Sequence, residues 1–145
     1  MRHRRLRNDD GNAAVEFALL VPVLILLVAG LIDFGRAYFT KMQLENAARA
    51  GAQYGLLHGG DDLATIQDVV RQASEVPTAN LTVSTTNFCA CPDGTAQVCS
   101  TGDCGGFKPG SYIGINAQTA FVPIFPFANS SRPATITGTA LVRTE

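Results

Sequence analysis

The stretch "DDGNAAVEFALLVPVLILLVAG", residues 9–30, decides the fold, because it opens an apolar run that continues to Ile32. Between Ala13 and Ile32 the only charged side chain is that of Glu16. At about 1.5 Å per helical residue this run rises roughly 30 Å, which is the thickness of the hydrocarbon core of a bilayer. The run therefore predicts a helix that spans a membrane.

The charges beside this run predict its orientation. The chain has 145 residues and a net charge of −1, but its first seven residues are strongly basic. The arginines there are Arg2, Arg4, Arg5 and Arg7. Because basic flanks stay on the cytoplasmic side, we expect a single-pass protein whose residues 33–145 lie outside the cytoplasm. That length suffices for one small domain.

The helical pattern continues past the apolar run, through "LIDFGRAYFTKMQLENAARAGAQYGL", residues 31–56. This stretch contains no proline and has apolar residues at helical intervals, so we expect one rod from about residue 12 to residue 56. Pro22 removes one hydrogen bond of that rod and can kink it. Asp33 and Arg36 are three residues apart and can pair on one face.

Small residues recur four apart in the distal part, at Ala47, Gly51 and Gly55, and are expected to pack mostly on the protein's own sheet.

The remaining chain predicts a small α+β head. Asp61 or Asp62 can cap a short helix that ends near Ser74. Three stretches alternate and are rich in β-branched residues, as strands are: residues 80–91, 111–125 and 134–143. We expect a sheet of three or four short antiparallel strands, packed on the distal half of the rod.

All four cysteines lie close together in the part that is expected outside the cytoplasm: Cys89, Cys91, Cys99 and Cys104. An even, clustered set in an oxidising compartment predicts two disulfides. A nested arrangement, Cys89–Cys104 with Cys91–Cys99, suits a hairpin, and the crossed arrangement stays open. A four-cysteine zinc site is the weaker alternative, because the C-x-C spacing differs from the usual C-x₂-C.

The sequence offers little for catalysis. Its two histidines, His3 and His58, have no plausible nucleophile beside them, and no phosphate-binding loop or metal motif is present. We therefore expect no enzyme activity, no cofactor, no metal and no small-molecule substrate. The arginines of the first seven residues, the basic leader, are explained by their role in orienting the spanning helix. Nucleic acid is therefore not an expected partner either.

Gly11 stands between the charged leader and the apolar helix, and Glu16 follows it by five residues. This arrangement resembles the processing site of type IV pilins and pseudopilins. The resemblance implies that a prepilin peptidase cuts after Gly11 and removes residues 1–11. Asn12 would become the new amino terminus, which is often N-methylated in that superfamily, and Glu16 would become the fifth residue of the mature chain.

A narrower resemblance covers most of the chain. Its parts are "GNAAVEFALLVPVLILLVAGLIDFGRAY", the Cys-x-Cys-Pro-x-Gly loop, "FVPIFPF" at residues 121–127 and the closing "ITGTALVRTE". Together they resemble the TadE-like minor pilins of tight-adherence (Flp-type) pili. One departure is Phe17, where Flp-type pilins often have tyrosine.

This resemblance implies a bacterial inner-membrane protein with a periplasmic head, which can also enter the extracellular pilus. Its implied roles are pilus assembly, surface adherence and biofilm formation. The implied partners are the prepilin peptidase, other pilins, the inner-membrane assembly platform and membrane lipid.

Glu16 needs a counter-charge in this setting, because a carboxylate at the centre of a lipid-embedded helix costs about 2.5 to 3.5 kcal/mol. Cleavage would create an α-ammonium on Asn12, about 6 Å away along the helix axis. That group can pair with Glu16 of its own chain or of a neighbour, and we favour the neighbour in an assembled filament.

Two other interpretations of the leader stay open. The chain could be an uncleaved, single-pass accessory subunit of a secretion system, in which Glu16 snorkels to the headgroups. Alternatively, it could be a small secreted disulfide domain with an ordinary signal peptide, cut near Gly30 after small residues. The acidic residues of the leader and the unbroken helical pattern count against this second alternative.

Overall fold

The computed structural model describes residues 9–60, 62–125 and 133–144. The elements in chain order are helix α1 (Asp9–Leu57), helix α2 (Leu63–Ala73), a short 3₁₀ turn (Thr78–Asn80), and strands β1 (Leu81–Ala90), β2 (Ala96–Gln97), β3 (Gly110–Phe121) and β4 (Ala134–Arg143). The predicted α+β architecture is confirmed: a long amino-terminal helix is followed by a small head with one short helix and a four-stranded antiparallel sheet.

Helix α1 is a single element of 49 residues, and it continues through Pro22 without interruption. Proline removes only one backbone donor, and the flanking residues keep the helix continuous. One face of the distal half is covered by the head, whereas the residues from Gly11 to Leu20 are all exposed. The rod predicted from about residue 12 to residue 56 is therefore confirmed. Most of the basic leader lies outside the described residues.

The sheet has the order β2–β1–β3–β4, and every neighbouring pair is antiparallel. Strand β3 is the long central member: it pairs with β1 from Leu81↔Thr119 to Ala90↔Gly110, and with β4 from Tyr112↔Arg143 to Phe121↔Ala134. One face of this sheet packs on α1 and α2. On the opposite face of the sheet, residues of β1 such as Thr82 and Ser84 are exposed.

Asp62 is the amino-terminal cap of α2. Its carboxylate accepts a hydrogen bond from the backbone N–H of Thr65 at 3.0 Å, which satisfies one of the free donors of the first turn. Of the two predicted caps, Asp62 is the one used, and Asp61 lies outside the described residues. The helix ends at Ala73, close to the predicted end at Ser74.

The core of the head lies between the sheet and the two helices. Leu44 and Ala48 contribute from α1, Ile66 and Val70 from α2, and the sheet adds its inward residues: Leu81, Val83, Ile113, Ile115 and Ala117. Gly51 and Gly55 let these side chains reach the helix, since a β-carbon at Gly55 would lie 2.9 Å from the Ile113 side chain. The row of small residues is thus used for internal packing, as expected.

The predicted strand at residues 111–125 is too long, because β3 ends at Phe121. Pro123 has no backbone N–H and therefore cannot extend the ladder. The next two backbone N–H groups, of Ile124 and Phe125, are bound to Asp33 on α1. The chain leaves the sheet at this point and returns to the long helix.

Candidate functional site

The residues expected at the processing site lie within the first three turns of α1. Gly11, Asn12, Glu16 and Phe17 are all exposed, and no part of the described head covers them. A β-carbon at Gly11 would meet no heavy atom within 4 Å, so the glycine is not there to admit a neighbouring side chain. Packing among the described residues therefore gives no reason for glycine at this position.

Glu16 lies one helical turn from Asn12 on the same face of α1. Within the described residues, no lysine or arginine lies within ion-pair distance of its carboxylate. The next basic residue along the helix is Arg36, about 30 Å further along the axis. No basic side chain among the described residues therefore supplies a counter-charge to Glu16.

The first half of α1 presents apolar side chains on every side. Among its large exposed residues are Phe17, Leu19, Leu20, Val23, Leu24, Leu27 and Leu31. α1 is long and apolar enough to cross a membrane. A contiguous apolar surface of this extent indicates a contact with membrane or protein, since soluble monomers rarely expose apolar patches beyond a few hundred Å². The single N-terminal apolar helix is accordingly a candidate membrane anchor.

The cysteines form two disulfides, Cys89–Cys99 and Cys91–Cys104. The expectation of two bridges is confirmed. Of the two arrangements that the sequence left open, the structure has the crossed one and not the nested one. All four sulfurs are engaged, so no thiolate remains for zinc. The zinc alternative is therefore not supported.

The reason for the crossed pairing is the position of the turn between β1 and β2. Strand pairing brings Cys89 opposite Gln97 and Ala90 opposite Ala96, which centres the turn on Asp93. The returning chain therefore carries Cys99 past Cys89, with their Cα atoms 5.1 Å apart. Cys91 lies inside the turn, where its N–H donates to the carbonyl of Thr95. A nested arrangement requires a turn centred about two residues later.

Asp33 is a buried acid at the end of the apolar run, with only 8% of its surface exposed. Its two carboxylate oxygens accept hydrogen bonds from the backbone N–H groups of Ile124 and Phe125, each at 2.9 Å. The predicted pair with Arg36 is also present, with 3.4 Å between Arg36 Nη1 and Asp33 Oδ1. Sequence reasoning found the local pair but missed the longer-range contact.

No metal-binding group was found among the described residues: nowhere do three or more His, Cys, Asp or Glu side chains cluster suitably. His58 stacks on Tyr54, with 4.0 Å between the ring centroids, and its Nδ1 lies 3.0 Å from the Tyr54 carbonyl oxygen. This is a surface packing role. His3 lies outside the described residues.

Comparison with known proteins bears on the long helix. No curated protein and no solved structure matches the chain. The family model described as TadE-like protein matches residues 11–53, which is α1 from Gly11 almost to its end. Over this segment the resemblance seen in the sequence is confirmed, and the chain carries a TadE-like helix.

Proposed function

We propose that this protein is a minor pilin, or pseudopilin, of a tight-adherence type IV pilus. The TadE-like match indicates a protein that is associated with tight-adherence pili. The observation that carries the finer proposal is the helix itself: within α1 an apolar, exposed stretch follows Gly11, and the family match begins at that same glycine. A helix of this kind can anchor the subunit in a membrane before assembly and can pack with other helices in the core of a filament.

The proposed processing divides the chain into three parts. A prepilin peptidase would remove residues 1–11, residues 12–32 would serve as the membrane and assembly segment, and residues 33–145 would form the periplasmic head. The exposure of Gly11 and Asn12 supports this proposal, because the described head does not cover the bond between them.

In an assembled filament, Glu16 would pair with the α-ammonium of a neighbouring subunit's Asn12. This pairing is supported by the absence of a basic side chain near Glu16 among the described residues, and the newly made amino terminus would supply the positive charge. An unpaired charge buried in an apolar bundle costs about 3 to 5 kcal/mol. Avoiding this cost would fix the register between neighbouring helices.

The role is structural rather than enzymatic in this proposal, as it is for the TadE-like, pilus-associated family. The partners would be the prepilin peptidase, the other pilins and the inner-membrane assembly platform, and the functions would be pilus assembly, surface adherence and biofilm formation. The crossed disulfides suit this setting, since they form in an oxidising compartment such as the periplasm.

Processing is tested by sequencing the amino terminus of the protein made in cells that contain the peptidase. The expected start is Asn12, and Gly11→Ala should leave the full-length precursor in the membrane. Gly30→Ala is the matched control, because a β-carbon meets nothing within 4 Å at either glycine. A start near Leu31 would instead indicate a secreted domain, and a full-length chain in piliated cells would indicate an uncleaved anchor.

The assembly role of Glu16 is tested apart from processing. Glu16→Ala should still be inserted and cut, but should be depleted from sheared pili. Glu75→Ala is the control, since Glu75 is a solvent-facing acid of the head that hydrogen-bonds Gln43. Normal incorporation of Glu16→Ala would contradict the charge pairing while leaving the processing proposal intact.

A further inference from the structure

The connection from β3 towards β4 does not stay on the head. After Phe121 the chain turns down to α1, and residues 121–125, which we call the apolar segment, reach the helix at Asp33. This segment reads Phe-Val-Pro-Ile-Phe and has no charged residue.

The height of the apolar segment along α1 is fixed by its hydrogen bonds. Asp33 directly follows Ile32, the last residue of the run predicted to span the membrane. The backbone of Ile124 and Phe125, bound to the Asp33 carboxylate, is therefore level with the end of that run. If α1 spans the bilayer, these residues lie at its surface.

The side chain of Phe125 extends further along the spanning part of the helix. With α1 it lines a recess of about 240 Å³ whose walls are entirely apolar: Leu24, Ile25, Val28, Ala29, Ile32 and Phe125. Leu24 lies about 13 Å below Asp33 along the helix axis. When α1 spans a bilayer, this recess lies at the depth of the acyl chains, where lipid can fill an apolar space.

Two neighbouring side chains of the segment face outward. Val122 is 67% exposed and Ile124 is 57% exposed, although both are large and apolar. Arg36 lies over the ring of Phe121, with its Cζ atom 5.4 Å from the ring centroid. An arginine near the end of a spanning helix can keep its stem on apolar side chains while its guanidinium reaches the headgroups.

Three consecutive residues of the segment have no free backbone N–H group. An irregular backbone exposed to lipid must have its N–H groups satisfied, since each unsatisfied group costs several kcal/mol. Pro123 has no N–H, and those of Ile124 and Phe125 are bound to Asp33. Three consecutive residues therefore present only apolar side chains and no free donor.

We propose that the apolar segment inserts into the head-side leaflet of the membrane that α1 spans, so that the head has a second contact with lipid. The inference rests on the proposed membrane anchorage of α1. Two contacts, the helix and the segment, would hold the head in one orientation on the membrane before assembly. Incorporation into a filament would then require the segment to leave the lipid.

The chain contains no tryptophan, so a single introduced tryptophan reports on its own surroundings. The full chain carrying Ile124→Trp is reconstituted into phosphatidylcholine vesicles with and without brominated acyl chains. We expect blue-shifted emission and quenching by bromine at least about half as strong as at a site within the span, because interfacial segments bury their apolar face about 5–10 Å deep. Val122→Trp should behave in the same way. Agreement between the two positions shows that the result does not arise from a disturbance caused by one substitution.

Two further variants distinguish failure of the lipid contact from failure of the membrane anchorage. Leu26→Trp reports the spanning helix, and Phe107→Trp reports an exposed position in the disulfide-bonded loop, where no quenching is expected. Quenching at Leu26 but not at Ile124 or Val122 would overturn the lipid contact and leave the anchorage standing. Absence of quenching at Leu26 would overturn the anchorage itself, and with it the inference.

A second copy of the chain is the alternative occupant of the apolar segment. In that case Ile124→Trp would show blue-shifted emission that brominated lipid does not quench and that disappears as the protein is diluted in lipid. This result would also overturn the proposal. Quenching that is independent of the protein-to-lipid ratio is the expected result.

Discussion

Gly138 of β4 lies directly against the backbone of Leu44 in α1. A β-carbon at Gly138 would lie 2.7 Å from the Leu44 Cβ, and still closer to the Leu44 carbonyl carbon. The neighbouring residue Thr137 accepts a hydrogen bond at its carbonyl from Lys41 Nζ, at 3.1 Å. At this crossing the head is attached to the long helix, and the absence of a side chain makes the contact possible.

Gly138→Ala is therefore expected to destabilise the head by about 1 to 3 kcal/mol, because the obstructing atoms belong to a helix backbone that cannot move aside cheaply. The measurement is denaturant unfolding of the full chain in detergent, with near-UV circular dichroism as the readout. Gly35→Ala is the control, since a β-carbon there meets nothing within 4 Å and alanine favours the helix. Equal stability of the two variants would contradict the close contact.

The crossed disulfides make a prediction about pairs of cysteines. A variant that keeps only Cys89 and Cys99, purified from an oxidising compartment, should contain no reactive thiol. A variant that keeps only Cys91 and Cys99 should contain two, because the turn centred on Asp93 does not bring these two together. Thiol titration of the unfolded proteins distinguishes the cases, and the reverse outcome would restore the nested arrangement.

Asp62 should make the stability of the head depend on pH. A side-chain hydrogen bond from Thr65, and then the Thr65 backbone N–H, hold the pKa of the Asp62 carboxyl below its usual value. A lowered pKa in the folded state means that the stabilisation is present above the unfolded pKa and is lost as the pH falls through the folded pKa. We therefore expect the melting temperature of the wild type to fall towards that of Asp62→Ala on acidification.

Asp62→Asn is the matched comparison, since asparagine also caps helices but does not titrate. The difference in melting temperature between the wild type and Asp62→Asn should shrink or reverse as the pH drops from about 6 to about 3. A difference that stays constant over this range would show that the charge of the cap does not matter. This difference in melting temperature is measured by thermal unfolding in detergent, with circular dichroism as the readout.

Asp33→Asn should release the apolar segment without disturbing the rest of the head. One of the two oxygens that accept from Ile124 and Phe125 is replaced by an amide nitrogen, so at least one hydrogen bond is lost. We expect faster amide hydrogen exchange in a peptide that contains residues 121–125 and unchanged exchange in β1. Mass spectrometry of the full chain in detergent gives the rates.

Asp68→Asn is the control for this change. Asp68 pairs with Arg71 three residues later, just as Asp33 pairs with Arg36, but it lies on the exposed face of α2. Loss of its ion pair should leave exchange at residues 121–125 unaltered. If Asp33→Asn behaved in the same way as Asp68→Asn, the hydrogen bonds to the segment would have no structural importance.

The sequence by itself determined the long helix, the presence of two disulfides and the approximate positions of the strands. These features depend on local patterns: the apolar run and helical spacing of residues 12–56, the clustered cysteines, and the alternation of β-branched residues. The α+β fold class followed from the same patterns, since the strand-rich half has to cover the small-residue face of the rod.

The tertiary structure alone decided how the cysteines pair and where the chain after Phe121 goes. Disulfide pairing depends on the centre of the β1–β2 turn, and a shift of about two residues changes nested bridges into crossed ones. The contact between Asp33 and Ile124 joins residues 91 positions apart. No local pattern encodes such a contact, because the partner of the carboxylate is a backbone N–H group, which every residue except proline possesses.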